Sequence, residues 1–179
     1  MSGSLLVVIS LLLAFATGLE AQAGSCVLGE NRYVNRQQFG GLSTVSVAGP
    51  LRVDCSGGTV LRADSAVVYE SSSEVHLFGR VDYLDPTRTL TSDYATYSSV
   101  TARLYATGNV VFTDQTRGST LRGPELEYYR AIPGRPDAQV IAPQRPHLTV
   151  VPTNSQSGNR EPLEIDADRI TTVGENIFS

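Results

Sequence analysis

The 179 residues carry 18 acidic and 14 basic side chains, a formal net charge of -4 with a pI near 5.1, and 41% hydrophobic content. That is enough apolar material for one β-rich domain or two small ones, and it excludes both a disordered chain and the basic face of a nucleic-acid binder. Every basic side chain is Arg, and the two His and two Cys residues have no metal-ligand spacing, so a metal centre or a Cys/His nucleophile has little raw material.

The chain opens with an uncharged apolar run, Leu5 to Leu19, then Glu20 and the small-x-small triplet Ala21-Gln22-Ala23. This predicts a secretory signal over residues 1–23, cut after Ala23, that delivers 24–179 across the inner membrane. No Lys or Arg precedes the run, so an uncleaved anchor and a lipoprotein modified at Cys26 stand as alternatives. The run is nonetheless shorter than the roughly 20 apolar residues that a membrane span needs. In an oxidising compartment the expected state of Cys26 and Cys55 is one disulfide, stapling the mature N-terminus to the second β segment. Two unpaired thiols are the alternative, and without a Cys-x-x-Cys nothing points to redox catalysis.

Beyond the signal the chain repeats. Gly49, Gly79 and Gly108 recur at intervals of 30 and 29 residues, each after an alternating apolar pair and two residues before another apolar side chain. The pairs are Val45/Val47, Val75/Leu77 and Leu104/Ala106, and the residues beyond are Leu51, Val81 and Val110. Between them a second phrase returns: Leu61-x-x-Asp64-x-Ala66, then Leu90-x-x-Asp93-x-Ala95-x-Tyr97, a weaker Leu121-x-x-Pro124-x-Leu126-x-Tyr128, and Ile165-x-x-Asp168.

Period-two alternation in stretches rich in Val, Thr and Tyr predicts strands with one buried face, and helical spacing is absent from residues 24–179. Leucine and alanine sit on opposite parities in the second phrase, so a bulge or bend near the Asp is needed to bring both inside. The glycine marks a kink or close backbone approach in the return strand. Each unit is thus a hairpin of about thirty residues, turning at 70–73 or 98–101, with 85–87 and 114–118 as turns between units. Residues 131–136 lengthen the third hairpin, and Pro152 to Pro162 is a polar loop. The fourth unit opens at Ile165 and is incomplete, so the chain is either a fragment or ends in an edge strand near Ile165, Ile170, Val173 and Ile177.

With the bulge so placed, the inward set is Leu61, Ala66, Val68, Val75, Leu77, Val81, Leu90, Ala95, Tyr97, Leu104, Ala106, Val110, Leu121, Leu126, Tyr128 and Val140. Repetition at one position gives Asp64, Asp93 and Asp168 a turn or bulge role instead of a catalytic one. Arg62, Arg80, Arg88, Arg103, Arg117, Arg122 and Arg130 read as solvated surface charges, with contact to lipid phosphates as the alternative. His76 falls between inward Val75 and Leu77 and is expected outside and exposed; Phe78 and Tyr129 read as wall and edge packing.

The phrases LRADSAVVY, LYATGNVVF and TLRGPELEYY resemble the OstA-like family, from about Leu42 onward. The resemblance implies an all-β, open, twisted antiparallel β-jellyroll: a trough with a greasy inner face and exposed strand edges. It implies a periplasmic, non-enzymatic protein, associated with the outer membrane, without cofactor or metal. Such a protein carries lipopolysaccharide or a related lipid on the inward residues and joins its partners edge to edge. Three alternatives stay open: the N-terminal domain of a longer outer-membrane translocon, a structural β-solenoid or adhesion module with a dry core, and an enzyme on a β-jellyroll, which would need a polar cluster in the cavity that the sequence does not offer. A wide apolar trough favours carriage, whereas touching halves favour the structural role.

Overall fold

A computed structural model describes residues 26–151, 161–174 and 176–178; the signal segment and residues 152–160 of the polar loop lie outside the described residues. Among the described residues, thirteen strands form one antiparallel sheet. They are β1 (Cys26–Leu28), β2 (Tyr33–Phe39), β3 (Leu42–Cys55), β4 (Thr59–Tyr69), β5 (Glu74–Leu84), β6 (Arg88–Ser98) and β7 (Arg103–Asp114). After them come β8 (Ser119–Tyr129), β9 (Gln139–Pro143), β10 (His147–Val150), β11 (Leu163–Asp166), β12 (Arg169–Val173) and β13 (Asn176–Phe178). The fold is an open, all-β jellyroll of consecutive hairpins, with a single 3-10 turn at Ser56–Gly58 as the one helical element among the described residues.

A crease crosses the long strands at mid-length. The register shifts between Ala48/Leu51, Arg62/Ser65, Phe78/Val81, Thr91/Tyr94 and Thr107/Val110. Asp64 and Asp93 lie inside these irregularities, where the parity of the repeat requires them. On the return strands the backbone passes through two successive left-handed residues, Gly79 and Arg80 (φ +69° and +45°) and then Gly108 and Asn109 (φ +77° and +49°). Glycine leads each pair because it takes a positive φ at no steric cost.

The crease divides the sheet into two walls. Wall I comprises β1 and the parts of β3 to β8 that reach the turns at 56–58, 85–87 and 115–118, continued by β10 and β11. Wall II comprises β2 and the other halves of β3 to β8, continued by β9, β12 and β13. The walls part company at β8: Ser119 to Arg122 pair with β10, while Glu127 to Tyr129 pair with β9.

Alternation is clean on both walls, and the buried set forms one cluster between them. Outward positions take residues that suit a pleated, solvated surface. Thr89, Thr113, Thr120 and Thr149 stand side by side on four neighbouring strands of wall I, and Thr113 and Thr120 are joined by a 3.4 Å hydroxyl contact. The N-terminal segment runs along β3 through β1 and β2 as one edge, bridged between them by Gly29 N–H to the Arg52 carbonyl and Arg32 N–H to the Ala48 carbonyl. Cys26 and Cys55 face each other in register and form a disulfide.

The C-terminal end differs in one respect from the expected edge. Ile170 is fully buried, because β12 pairs with β9 and carries it into the core. The outermost strands there are β11 on wall I and β13 on wall II.

Candidate functional site

The inward residues line the space between the walls. Leu77, Leu90, Ala95, Ala106 and Leu126 have no exposed surface at all. Leu61, Ala66, Val81, Tyr97, Leu104, Val110, Leu121, Tyr128 and Val140 are buried beside them. Val68 and Val75 are only partly buried, packed against the margin of the cluster.

Sequence reading missed several members of this lining. Tyr83 and Phe112 are each one step of two beyond the residue that follows the crease, Val81 and Val110, so continued alternation was the signal for both. Leu51 and Ala63 likewise continue the alternation across the bulge. Ser92, also buried, satisfies its hydroxyl by donating to the Tyr94 carbonyl at 3.0 Å.

The aspartates of the repeat hold the crease. Asp64 accepts a hydrogen bond from Arg80 Nε at 2.9 Å, and Asp93 accepts one from Asn109 Nδ2 at 2.7 Å. The Arg80 hydrogen bond keeps the Asp64 carboxyl below its ordinary range. Each aspartate is thereby bonded to the second left-handed residue of its neighbouring strand.

The walls touch along the side opposite the crease. Tyr128, on wall II, packs its ring edge-on against Tyr83 of wall I with centroids 5.9 Å apart, and at 5.5 Å against Phe112. Its hydroxyl accepts from Arg88 Nη1 at 3.3 Å and donates to Asp85 Oδ2 at 3.4 Å. Tyr83 donates to the same Asp85 oxygen at 3.0 Å. Two residues on, Arg130 Nη1 crosses to Thr59 Oγ1 at 3.0 Å. Burial pushes the Tyr83 hydroxyl far above the ordinary tyrosine range and the Tyr128 hydroxyl up to about 12.

The supports of this seam repeat every 29 residues. Asp85 accepts from the N–H groups of Thr87 (2.9 Å) and Arg88 (2.8 Å), and Asp114 accepts from those of Thr116 (3.0 Å) and Arg117 (3.3 Å). The matching sequences are Asp85-x-Thr87-Arg88 and Asp114-x-Thr116-Arg117, a side-chain-capped turn in both. Arg88 Nε also reaches Asp114 Oδ2 at 3.1 Å. Burial alone would raise the Asp114 carboxyl, but the Thr116 hydroxyl and the two guanidiniums outweigh it and hold the group below its ordinary range. Arg88 and Arg130 are therefore seam residues, in contrast to the solvated charges expected from sequence.

The seam thus joins the end of β8 on wall II to β4, β5, β7 and the turn at 85–88 on wall I. Behind the seam, between Phe112, Leu121, Val140 and Leu148, lies a cavity of about 20 Å³, the size of a water molecule. His76 is outward as expected but only half-exposed, because Tyr69 packs edge-on at 5.0 Å and the Tyr94 hydroxyl bonds to its Nδ1 at 2.7 Å.

Residues 48–133, the creased hairpins themselves, match the profile of the family described as OstA-like protein. This stretch, just under half of the chain, is OstA-like. No curated protein matches the chain. OstA-like proteins form a transport and binding family connected with lipopolysaccharide, and the match spans the part of the trough that carries most of the inward residues.

Proposed function

We propose that this OstA-like protein is a periplasmic carrier of lipopolysaccharide or a related lipid, delivered by the segment 1–23 and acting in a bridge toward the outer membrane. The observation that carries the reading is an unbroken apolar row running strand to strand on each wall inside an OstA-like domain: Leu61, Tyr83, Leu90, Phe112 and Leu121 on wall I, and Ala66, Leu77, Ala95, Ala106 and Leu126 on wall II. Each acyl methylene moved from water onto such a surface contributes about 0.8 kcal/mol, so partial insertion of a few chains gives useful affinity without any catalytic group. Fifteen lining residues form the proposed acyl surface: Leu61, Ala66, Val68, Val75, Leu77, Val81, Leu90, Ala95, Tyr97, Leu104, Ala106, Val110, Leu121, Leu126 and Tyr128.

The ends of the sheet support joining to neighbours. The edge formed by β1 and β2 exposes Val27 (66%), Tyr33 (62%) and Phe39 (89%), and at the other end β11 is exposed with Leu163 at 58%. Unprotected edges of this kind accept an added strand. The partner in this reading is a second copy or another component of the same bridge.

A second reading has its own observation. The Tyr83–Tyr128 contact brings the two walls together at β5 and β8, which favours a structural module with a dry core. Native mass spectrometry of the chain secreted into a lipopolysaccharide-containing periplasm and purified without detergent separates the two. Lipid-sized adducts, with photocrosslinks from a probe at inward Tyr97 and none from outward Tyr105, support carriage. A clean protein mass for the folded chain replaces it with the structural module.

A further inference from the structure

We propose that the outer face of wall II binds an uncharged glycan chain, separate from any lipid held inside. The inference goes beyond the carrier reading and does not rest on it. The two outer faces are built from different residues. On wall I the outward rows hold threonines and paired charges: Thr89, Thr113, Thr120 and Thr149 in one, Arg62 and Asp82 in the next. On wall II they hold rings. Apart from the interior Tyr83, Tyr97 and Tyr128, every tyrosine of the chain stands there, from Tyr33 on β2 to Tyr129 on β8. Threonine and tyrosine both suit cross-strand pairs, so sheet pairing alone does not explain why the rings collect on one side.

Four rings on three neighbouring strands form the centre of this face. Tyr69 meets His76 edge-on at 5.0 Å, His76 meets Tyr94 at 6.0 Å, and Tyr94 meets Phe78 at 5.2 Å. Tyr69 and Phe78 remain 39% and 40% exposed. Polar groups stand among the rings: Glu74 Oε1 lies 3.5 Å from His76 Nε2, and the Tyr94 hydroxyl bonds to Nδ1 of the same imidazole. A pyranose asks for this mixture. Its C–H faces carry slight positive charge and pack on the negative face of an aromatic ring, while the hydroxyls at its rim need donors and acceptors. Because His76 is braced at both nitrogens, the rings are set before a ligand arrives. At about 4.8 Å between strands and about 6.8 Å per two residues, Tyr94, Tyr105 and Tyr129 lie on a diagonal of roughly 17 Å, which suits an oligosaccharide better than a single sugar.

Charge selects the kind of sugar. Glu74, Glu125 and Glu127 stand on this face against Arg103, whose guanidinium is itself bonded to Glu127 at 2.9 Å. That balance repels phosphorylated sugars, the anionic head of a lipopolysaccharide included, and admits neutral ones. The same carboxylates weigh against a protein partner, since the core of a protein interface is depleted of charge.

Amide chemical shifts and calorimetry of the secreted chain titrated with chitotetraose test the proposal. The expected result is saturable binding with shifts confined to outward residues of β4 to β8 on wall II. Tyr69→Ala with Phe78→Ala should weaken it about tenfold or more, and Thr113→Ala on wall I should leave it unchanged. Glu74→Gln, which keeps the packing, should weaken it about threefold and serves if the double variant loses its cooperative melt. Absence of binding, shifts on wall I or among the inward residues, or tighter binding of the phosphorylated core oligosaccharide of lipopolysaccharide overturns the proposal. So does a dimer, seen by sedimentation, that the Tyr69→Ala, Phe78→Ala variant dissociates. Glycan binding by a chain that takes up no lipid upholds the proposal while removing the carrier reading.

Discussion

The carboxylate of Asp93 occupies the space that a side chain at Gly108 would need: a Cβ built there would stand 2.6 Å from Asp93 Oδ2. The same relation recurs one unit earlier, where a Cβ on Gly79 would stand 2.6 Å from Asp64 Oδ2. Aspartate and glycine are thus one device on two neighbouring strands. The carboxylate packs over bare backbone and is held there by the residue after the glycine.

Gly108→Ala should therefore destabilise by about 2 to 4 kcal/mol, the sum of a left-handed backbone on a residue with a Cβ and the displacement of Asp93. Urea unfolding measures it. Asp93→Gly in the same background should recover part of the loss, and strictly additive effects would break the claim that the two residues act as a pair.

The Cys26–Cys55 bond closes a sequence separation of 29 residues. In the loop-entropy account its removal should cost about 3 to 4 kcal/mol, through a less constrained unfolded chain. Urea midpoints for the oxidised chain and for the Cys26→Ser, Cys55→Ser double variant give the difference. A loss below about 1 kcal/mol would mean that β1 comes free at the edge while the walls are unaffected.

Acid should weaken the protein through Asp114 and Glu127. Burial opposes the charge on Asp114 but is outweighed by Thr116, Arg88 and Arg117, while hydrogen bonds from Arg103 and then Tyr129 depress Glu127. Both folded values lie below the unfolded ones, so the unfolded chain takes up protons first as pH falls. Their contribution is complete above the ordinary carboxylate range, near pH 4 to 5, and drains away as pH falls through the lower folded values. Unfolding free energy measured from pH 7 to pH 2 should show this decline, and Asp114→Asn should flatten it. At pH 7 the same substitution should cost about 2 to 3 kcal/mol, because Arg88 keeps its charge beside a neutral partner.

Much of this architecture was legible in the chain because the crease is written into the repeat. Leu61 and Ala66, or Leu90 and Ala95, have opposite parities and yet both are buried, which forces the bulge at the intervening Asp64 and Asp93. Tyr83 and Phe112 escaped only because the alternation was not carried past Val81 and Val110. The seam was illegible for a different reason. Asp85-x-Thr87-Arg88 and Asp114-x-Thr116-Arg117 announce capped turns, but no local pattern says that Tyr128 arrives from the other wall. That contact depends on how tightly the sheet folds about its crease, and on the parting of β8 between β9 and β10, both of which belong to the whole sheet.

Because each hairpin crosses the crease, every unit of about thirty residues supplies one rib to both walls at once. Neighbouring strands stand about 4.8 Å apart, so a further unit would lengthen the interior by about 10 Å and leave its width unchanged. The bore of this gutter is fixed by the reach of single side chains such as Tyr83 and Tyr128, and its length by the number of copies of one short phrase. A lineage could therefore match the molecule to a wider or narrower gap by duplicating or deleting whole units, with no residue of the remaining ribs having to change.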